Sequence, residues 1–347
     1  MADRFAAQLR WQAAACASLG SDFYATLLER LAADAEAGGP TARILAGHED
    51  EPFDSLLSLR LLGGVHRRVL LGLEPLLTAH YPSTGGDGDA DAAATVVLGV
   101  LDEHAAELRE SLARPPQTNE VGRAGPLVGA LWHLQAIAPL PVRLFEIGAS
   151  GGLNLLADRF RFEGIGQTGP VGSPVVFADA WLGNVPATGP LLDVVERLGC
   201  DRDPIDSSTD DGALTLNSYV WPDQLERLAR LRGALTLARA HPVTVVQRSA
   251  ADFTAELAPE PGAWTVLWHS VMWQYLDEAE RSVVEGNLDR AGAESGDDAP
   301  LAHIAFEPRR LAPDADLAFY VTVRTWPGDR ERTLGLAPAH GLPVEWA

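Results

Sequence analysis

Between residues 1 and about 138, apolar positions recur at the three-to-four-residue spacing of a helix face. Phe23, Tyr24, Leu27, Leu28 and Leu31 make one such stripe, with Ser21 placed to cap it and Gly38-Gly39-Pro40 to stop it. Phe53 to Leu73 predicts a long buried helix. Ala92 to Leu112 predicts another, through Val96, Val97, Val100, Leu101 and Leu108, and Val121 to Ile137 a third, broken near Pro126. After Pro139 and Pro141 the pattern changes to short apolar runs separated by helical stretches. Val142–Ile147, Leu191–Gly199, Val243–Gln247, Trp264–Trp268, Leu301–Phe306 and Leu317–Val323 are predicted strands. Helices are predicted at Pro222–Ala240 and Asp277–Arg290, and a last edge strand over Thr333–Trp346 with a turn at His340-Gly341. Strands that alternate with helices pair in parallel through right-handed crossovers. The pattern predicts an α/β fold, with a mostly parallel sheet over residues 139–347 preceded by an all-helical region over residues 1–138.

Composition narrows the function classes. The chain has 347 residues, 46% of them hydrophobic, enough for a sizeable core. Its formal net charge of −21 opposes binding to phosphate backbones and anionic lipid, so neither nucleic acid nor a membrane is an expected partner. All 27 basic residues are arginine. Without a lysine amine there is no Schiff-base chemistry, and without the phosphate-loop lysine no Walker-type NTPase. Two distant cysteines, Cys16 and Cys200, form no metal or disulfide pattern and fit a reducing cytoplasm. The charged segment MADRFAAQLRW is unlike a signal peptide, and no apolar run approaches the ~20 residues that cross a bilayer. Gly85 to Asp91 places acids at alternate positions as a calcium loop does. It lacks the required glycine, and Leu98 stands where the bidentate glutamate belongs, so a solvated loop and no metal are expected.

The informative segment is VRLFEIGASGGLNLLADRF, a strand carrying Glu146 that runs through Gly148-Ala149-Ser150-Gly151-Gly152 into a helical pattern. Such a turn lies at the carboxyl end of a strand, where open α/β sheets bind ligands. Four readings compete. The dinucleotide fingerprint G-x-G-x-x-G would require Ser150 and Leu153 to be glycine. The nucleophile elbow G-x-S-x-G matches letter for letter, making Ser150 a nucleophile served by a later His such as His303 or His340, but it follows the first strand rather than several. The third reading is that Glu146, Gly148, Ser150 and Gly152 resemble the first motif of S-adenosylmethionine (SAM)-dependent methyltransferases, acidic-x-Gly-x-Gly-x-Gly with serine for the middle glycine. The fourth is a tight turn that binds nothing.

The methyltransferase resemblance implies further roles and a Rossmann-like sheet. Asp201, ending the second strand, would grip the ribose hydroxyls. It lies about 50 residues past the glycines rather than about 20, with Glu163–Pro190 as an insertion filling the gap. Ser249-Ala250, with Asp252 two places on, would meet the adenine, and His269 would act as a base at the methyl-transfer site. From end to end the chain also resembles an uncharacterised bacterial family, domain of unknown function 2332. That resemblance rests on Gln117-Thr118-Asn119-Glu120-Val121-Gly122-Arg123, Glu146 to Leu155, and Val220-Trp221-Pro222. Asn119, Glu120 and Arg123 are either a helix cap or the wall of a substrate site. The expectation is a SAM-dependent methyltransferase of a small molecule, in the cytoplasm. A serine hydrolase using Ser150 and a non-catalytic nucleotide- or partner-binding protein are the alternatives. The sequence leaves the acceptor and the oligomeric state open.

Overall fold

A computed structural model describes residues 2–164, 167–183, 191–310, 312 and 315–347. The chain forms two compact units, residues 1–118 with 213–229 and residues 119–212 with 230–347. The first is built from α1 (Ala2–Ser18), α2 (Asp22–Glu36), α3 (Pro40–Leu45), α4 (Leu57–Leu70), α5 (Pro75–Thr78), α6 (Ala90–Glu103) and α7 (Ala105–Ser111). Their apolar stripes close on a core that includes Leu27, Leu28, Leu31, Leu61 and Val65. The Ser21 side chain accepts from the Tyr24 N–H, the cap expected of it. The predicted helix over 92–112 is two helices meeting at His104. In the acidic glycine loop, Asp89 caps α6 through the Ala92 N–H and Asp87 accepts from the Asp89 N–H, so these acids shape a turn.

In the second unit α8 (Ala124–Ile137) is unbroken, because Pro126 sits in the first turn, where its missing N–H has no intrahelical acceptor. The strands are β1 (Val142–Ile147), β2 (Arg161–Phe162), β3 (Val176–Phe177), β4 (Trp181–Gly183), β5 (Val194–Asp201), β6 (Thr244–Gln247), β7 (Trp264–Ser270), β8 (Leu301–Arg309), β9 (Ala318–Trp326), β10 (Arg330–Ala337) and β11 (Val344–Trp346). The remaining helices of the chain are α9 (Asp210–Ser218), α10 (Leu225–Ala240), α11 (Ala250–Thr254) and α12 (Glu278–Glu294). Nine strands form one sheet in the order β4-β11-β10-β9-β8-β7-β1-β5-β6, and β2 pairs with β3 apart from it. From β8 through β7, β1 and β5 to β6 every pair is parallel, whereas β8, β9, β10 and β11 make an antiparallel meander. The fold is α/β with a mostly parallel sheet, and no strand precedes Val142 among the described residues.

Two expectations change. Thr333–Trp346 is not one edge strand but β10 and β11, and the edge is β4, which pairs in parallel with β11. β4 lies inside the expected insertion Glu163–Pro190. Residues 165–166 and 184–190 of that insertion are outside the described residues.

Alternation along the strands sets the two faces of the sheet. Phe145, Leu267 and His303 are register partners on one face, and Glu146, Trp268 and Ile304 on the other. The first face is covered by α11 and α12, around Phe145, Phe253, Leu267, Val284 and Leu288.

Candidate functional site

The turn closing β1 is held by backbone and by one carboxylate. Gly148 and Gly152 take the left-handed conformation at φ 68° and 70°, and Ser150 takes it at φ 50°. A side chain at Gly152 would put its Cβ 2.8 Å from Val243 and Val245, and one at Gly148 would sit 2.9 Å from Met272. The Ala149 N–H donates to the Cys200 carbonyl at 3.0 Å. The Ser150 N–H donates to Asp201 Oδ2 at 2.9 Å, while Oδ1 accepts from the Asp203 N–H at 3.0 Å. Asp201, at the end of β5, thus lies against the glycine turn as its position in the strand suggested. The helix expected after the turn is a 3₁₀ helix, Leu153–Arg159, and its first N–H, on Leu153, is taken by Asn119 Oδ1 at 2.8 Å.

The Gln117 block lies beside this turn through its second half. Glu120 caps the short 3₁₀ turn Val121–Arg123 through the Gly122 N–H, and its carbonyl accepts from Asn154 Nδ2. Arg123 donates to the carbonyls of Ser270 and Ala339 at 3.2 and 3.3 Å. Asn119, Glu120 and Arg123 therefore join the glycine turn to the end of β7, combining the cap with a place beside the turn.

Glu146 is 2% exposed, and its Oε2 has no hydrogen-bond partner. Burial pushes its carboxyl well above the ordinary value, against the neighbouring Trp268 indole, with Asp201 adding to the rise and Arg123 opposing it. The Asn154 Oδ1 is likewise buried without a partner. Directly after β7, Val271 stands at φ 51°, a region β-branched residues rarely enter. Two strained non-glycine residues, Ser150 and Val271, thus follow the ends of neighbouring strands. Such strain gathers at functional sites.

His269 lies elsewhere. One residue on from Trp268, it faces the opposite side of the sheet from Glu146. Its Nδ1 is 2.8 Å from Glu307 Oε1, its Nε2 is 2.9 Å from His303 Nε2, and its ring stacks on Trp273 at 5.0 Å. Ser249 caps the start of α11, its Oγ accepting from the Asp252 N–H and donating to Asp252 Oδ2, and the Ala250 N–H donates to Glu280 Oε1. His303, a partner considered for a Ser150 nucleophile, is engaged with His269. Among the described residues no group of three or more His, Cys, Asp or Glu is arranged to hold a metal, and no helix is long and apolar enough to cross a membrane.

The sequence reading did not identify His303 and Glu307 as partners of His269, nor the strain at Val271. The four-residue interval from His303 to Glu307 is an even number, so both face one side of β8. The strand was expected to end at Phe306, one residue short of showing it. No signal in the sequence marks Val271.

No curated protein and no solved structure matches the chain. A family model described as an uncharacterized protein conserved in bacteria matches residues 6–346, nearly the whole chain, and the protein belongs to that family, DUF2332.

Proposed function

We propose that the unit of residues 119–212 and 230–347 is a SAM-dependent methyltransferase core acting on a small molecule, with SAM at the carboxyl ends of β1, β5 and β7. The observation that carries this reading is Asp201, bonded to the glycine turn inside a sheet whose five parallel strands run third, second, first, fourth, fifth. That order places a switch point beside β1, the position where doubly wound sheets take nucleotide ligands. The antiparallel meander beyond β8 departs from a purely parallel sheet. The residues present suit a sulfonium-bearing nucleoside. Asp201 keeps free lone pairs on both oxygens for ribose hydroxyls, and the buried Glu146 Oε2 is unpartnered. SAM when bound would supply an electrophilic methyl group; Asp201 would align it through the ribose and favour its positive charge, and the neutral Glu146 carboxyl would offer it a polar contact.

Calorimetric titration of SAM and its demethylated product into the full chain tests this. Asp201→Ala is expected to weaken binding roughly ten- to a hundredfold, because charge-assisted bonds contribute about 1.5–3 kcal/mol. Asp203→Ala, which removes the same charge two residues away, should leave affinity unchanged. Absence of heat with the wild type, or equal affinity in all three proteins, overturns the reading.

One observation favours the serine-hydrolase alternative. Ser150 has the left-handed backbone of a nucleophile elbow. A fluorophosphonate probe is expected to leave Ser150 unlabelled, and stoichiometric labelling there would replace the methyltransferase reading.

A further inference from the structure

Doubly wound sheets carry a crossover helix after each parallel strand, but β8 turns back into antiparallel β9 with no helix between them among the described residues. On the α12 side this leaves a cavity of about 470 Å³, within the size range of small-molecule sites. Its floor is not apolar. Glu307 and His269 are 4% and 2% exposed, and with His303 they form one hydrogen-bonded chain. Burying such a chain costs more than burying hydrocarbon of the same volume, so packing alone does not explain it. Glu307 lines the cavity with its Oε2 buried and unpartnered.

With both histidines neutral, the bonding partners set where the protons sit. Glu307 Oε1 accepts from the Met272 N–H and the Trp273 N–H as well as from His269 Nδ1. A neutral His269 therefore carries its proton on Nδ1 and offers a lone pair at Nε2. His303 must then donate its Nε2 proton to His269, which leaves the His303 Nδ1 lone pair open. Burial above all holds His303 well below the ordinary histidine value, and a charge arriving on His269 would hold it lower still, so His303 does not retain a positive charge. Arg309 and Arg324 are themselves paired, with Glu331 at 2.9 Å and Asp289 at 2.8 Å. Arg281 differs. It donates to the carbonyls of Trp273 and Gln274 and pairs with no carboxylate among the described residues.

We propose that this cavity is a second small-molecule site, in which His303 takes the proton of a weakly acidic hydroxyl on the ligand and hands its own to His269. The O–H bond breaks, an N–H bond forms at His303 Nδ1, and the His303 Nε2 proton moves to His269 Nε2. The positive charge comes to rest on His269 beside the Glu307 carboxylate, and the ligand oxygen keeps the electron pair. Arg281 is the anchor for an acceptor or anionic group at the ligand's other end. His269 and Glu307 are positioning residues in this relay. The site is independent of the SAM reading, because it lies on the opposite face of the sheet from Glu146.

The test uses 4-nitrophenol, whose ionised form absorbs at longer wavelength and whose nitro group offers Arg281 an acceptor. The full-length protein is titrated into the phenol at a pH well below the phenol's own pKa. The bound probe is expected to be ionised about tenfold or more over the free probe, a shift of one pKa unit or greater. His303→Gln should abolish the ionised band, and Glu307→Gln should diminish it while circular dichroism confirms the fold. The wild type decides the matter by itself: a probe that binds un-ionised, or that does not bind, overturns the proposal.

Discussion

Glu146→Gln changes one buried oxygen to a nitrogen and nothing else in volume, so its effect isolates the charge state of the carboxyl. The group sits in register between Gly199 of β5 and Trp268 of β7. Gly199 contributes no side chain, and the Arg123 guanidinium is turned to the carbonyls of Ser270 and Ala339. Burial therefore dominates, and the folded-state pKa lies above the unfolded one. The sign follows. The stability contributed by the neutral carboxyl is fully present below the ordinary value of 4.5 and is lost as pH rises toward the raised folded value. In that window the wild type loses about 1.4 kcal/mol per pH unit relative to a variant that stays neutral. Urea denaturation of wild type and Glu146→Gln across a pH series measures the difference directly. The variant should gain on the wild type as pH rises above the ordinary carboxyl range, until the folded pKa is passed. A difference that stays constant across the series would refute the argument and show an ionised Glu146 compensated by Arg123. An infrared difference spectrum, wild type minus variant, should contain a protonated-carboxyl band at a pH just above the ordinary carboxyl range.

Two further outcomes follow from the backbone around the turn. Gly152→Ala adds a methyl group 2.8 Å from both Val243 and Val245 at φ 70°, and should cost about 2–4 kcal/mol in urea denaturation, left-handed strain and overpacking together; an unchanged midpoint would show that the turn repacks freely. Val271→Gly removes left-handed strain from a β-branched residue and should raise stability by about 1 kcal/mol; a fall would mean that the packing of the valine side chain outweighs the strain.

How much of this was legible in the sequence depends on the range over which each signal acts. Helix caps and periodic apolar stripes are local, so Ser21 and the stripe through Leu31 were readable directly. Fully buried strands betray themselves as apolar runs, and Trp264 to Ser270, buried throughout, was found almost whole. The neighbour of each strand was partly legible, since alternation with helices implies parallel pairing. The β8–β11 meander was not, because nothing local distinguishes the end of a crossover from the end of a hairpin. The three-residue strand β4 is too short to show a period and draws its stability from β11, more than 150 residues away in sequence. The face of each site residue failed for the same reason. The expected site joins Glu146 and His269, yet the register of β7 against β1 puts them on opposite sides, and register is a tertiary fact.

That separation also explains why the segment after β7 is unusual. Its first residue, Val271, is strained, and Met272 packs where a side chain on Gly148 would go. The N–H groups of Met272 and Trp273 both end on Glu307 Oε1, which also holds His269. Arg123 grips the carbonyl of Ser270 just before. Three or four residues therefore belong at once to the glycine turn on one side and to the histidine chain on the other. A relaxed backbone at Val271 would satisfy one set of contacts but not both. Ser150 presents the same case from the neighbouring strand. Its N–H must reach Asp201 while its carbonyl accepts from the Ile205 N–H, and the left-handed conformation is the geometry in which both bonds are made. At the carboxyl ends of β1 and β7, the strained residue sits where one short segment answers to two sets of partners.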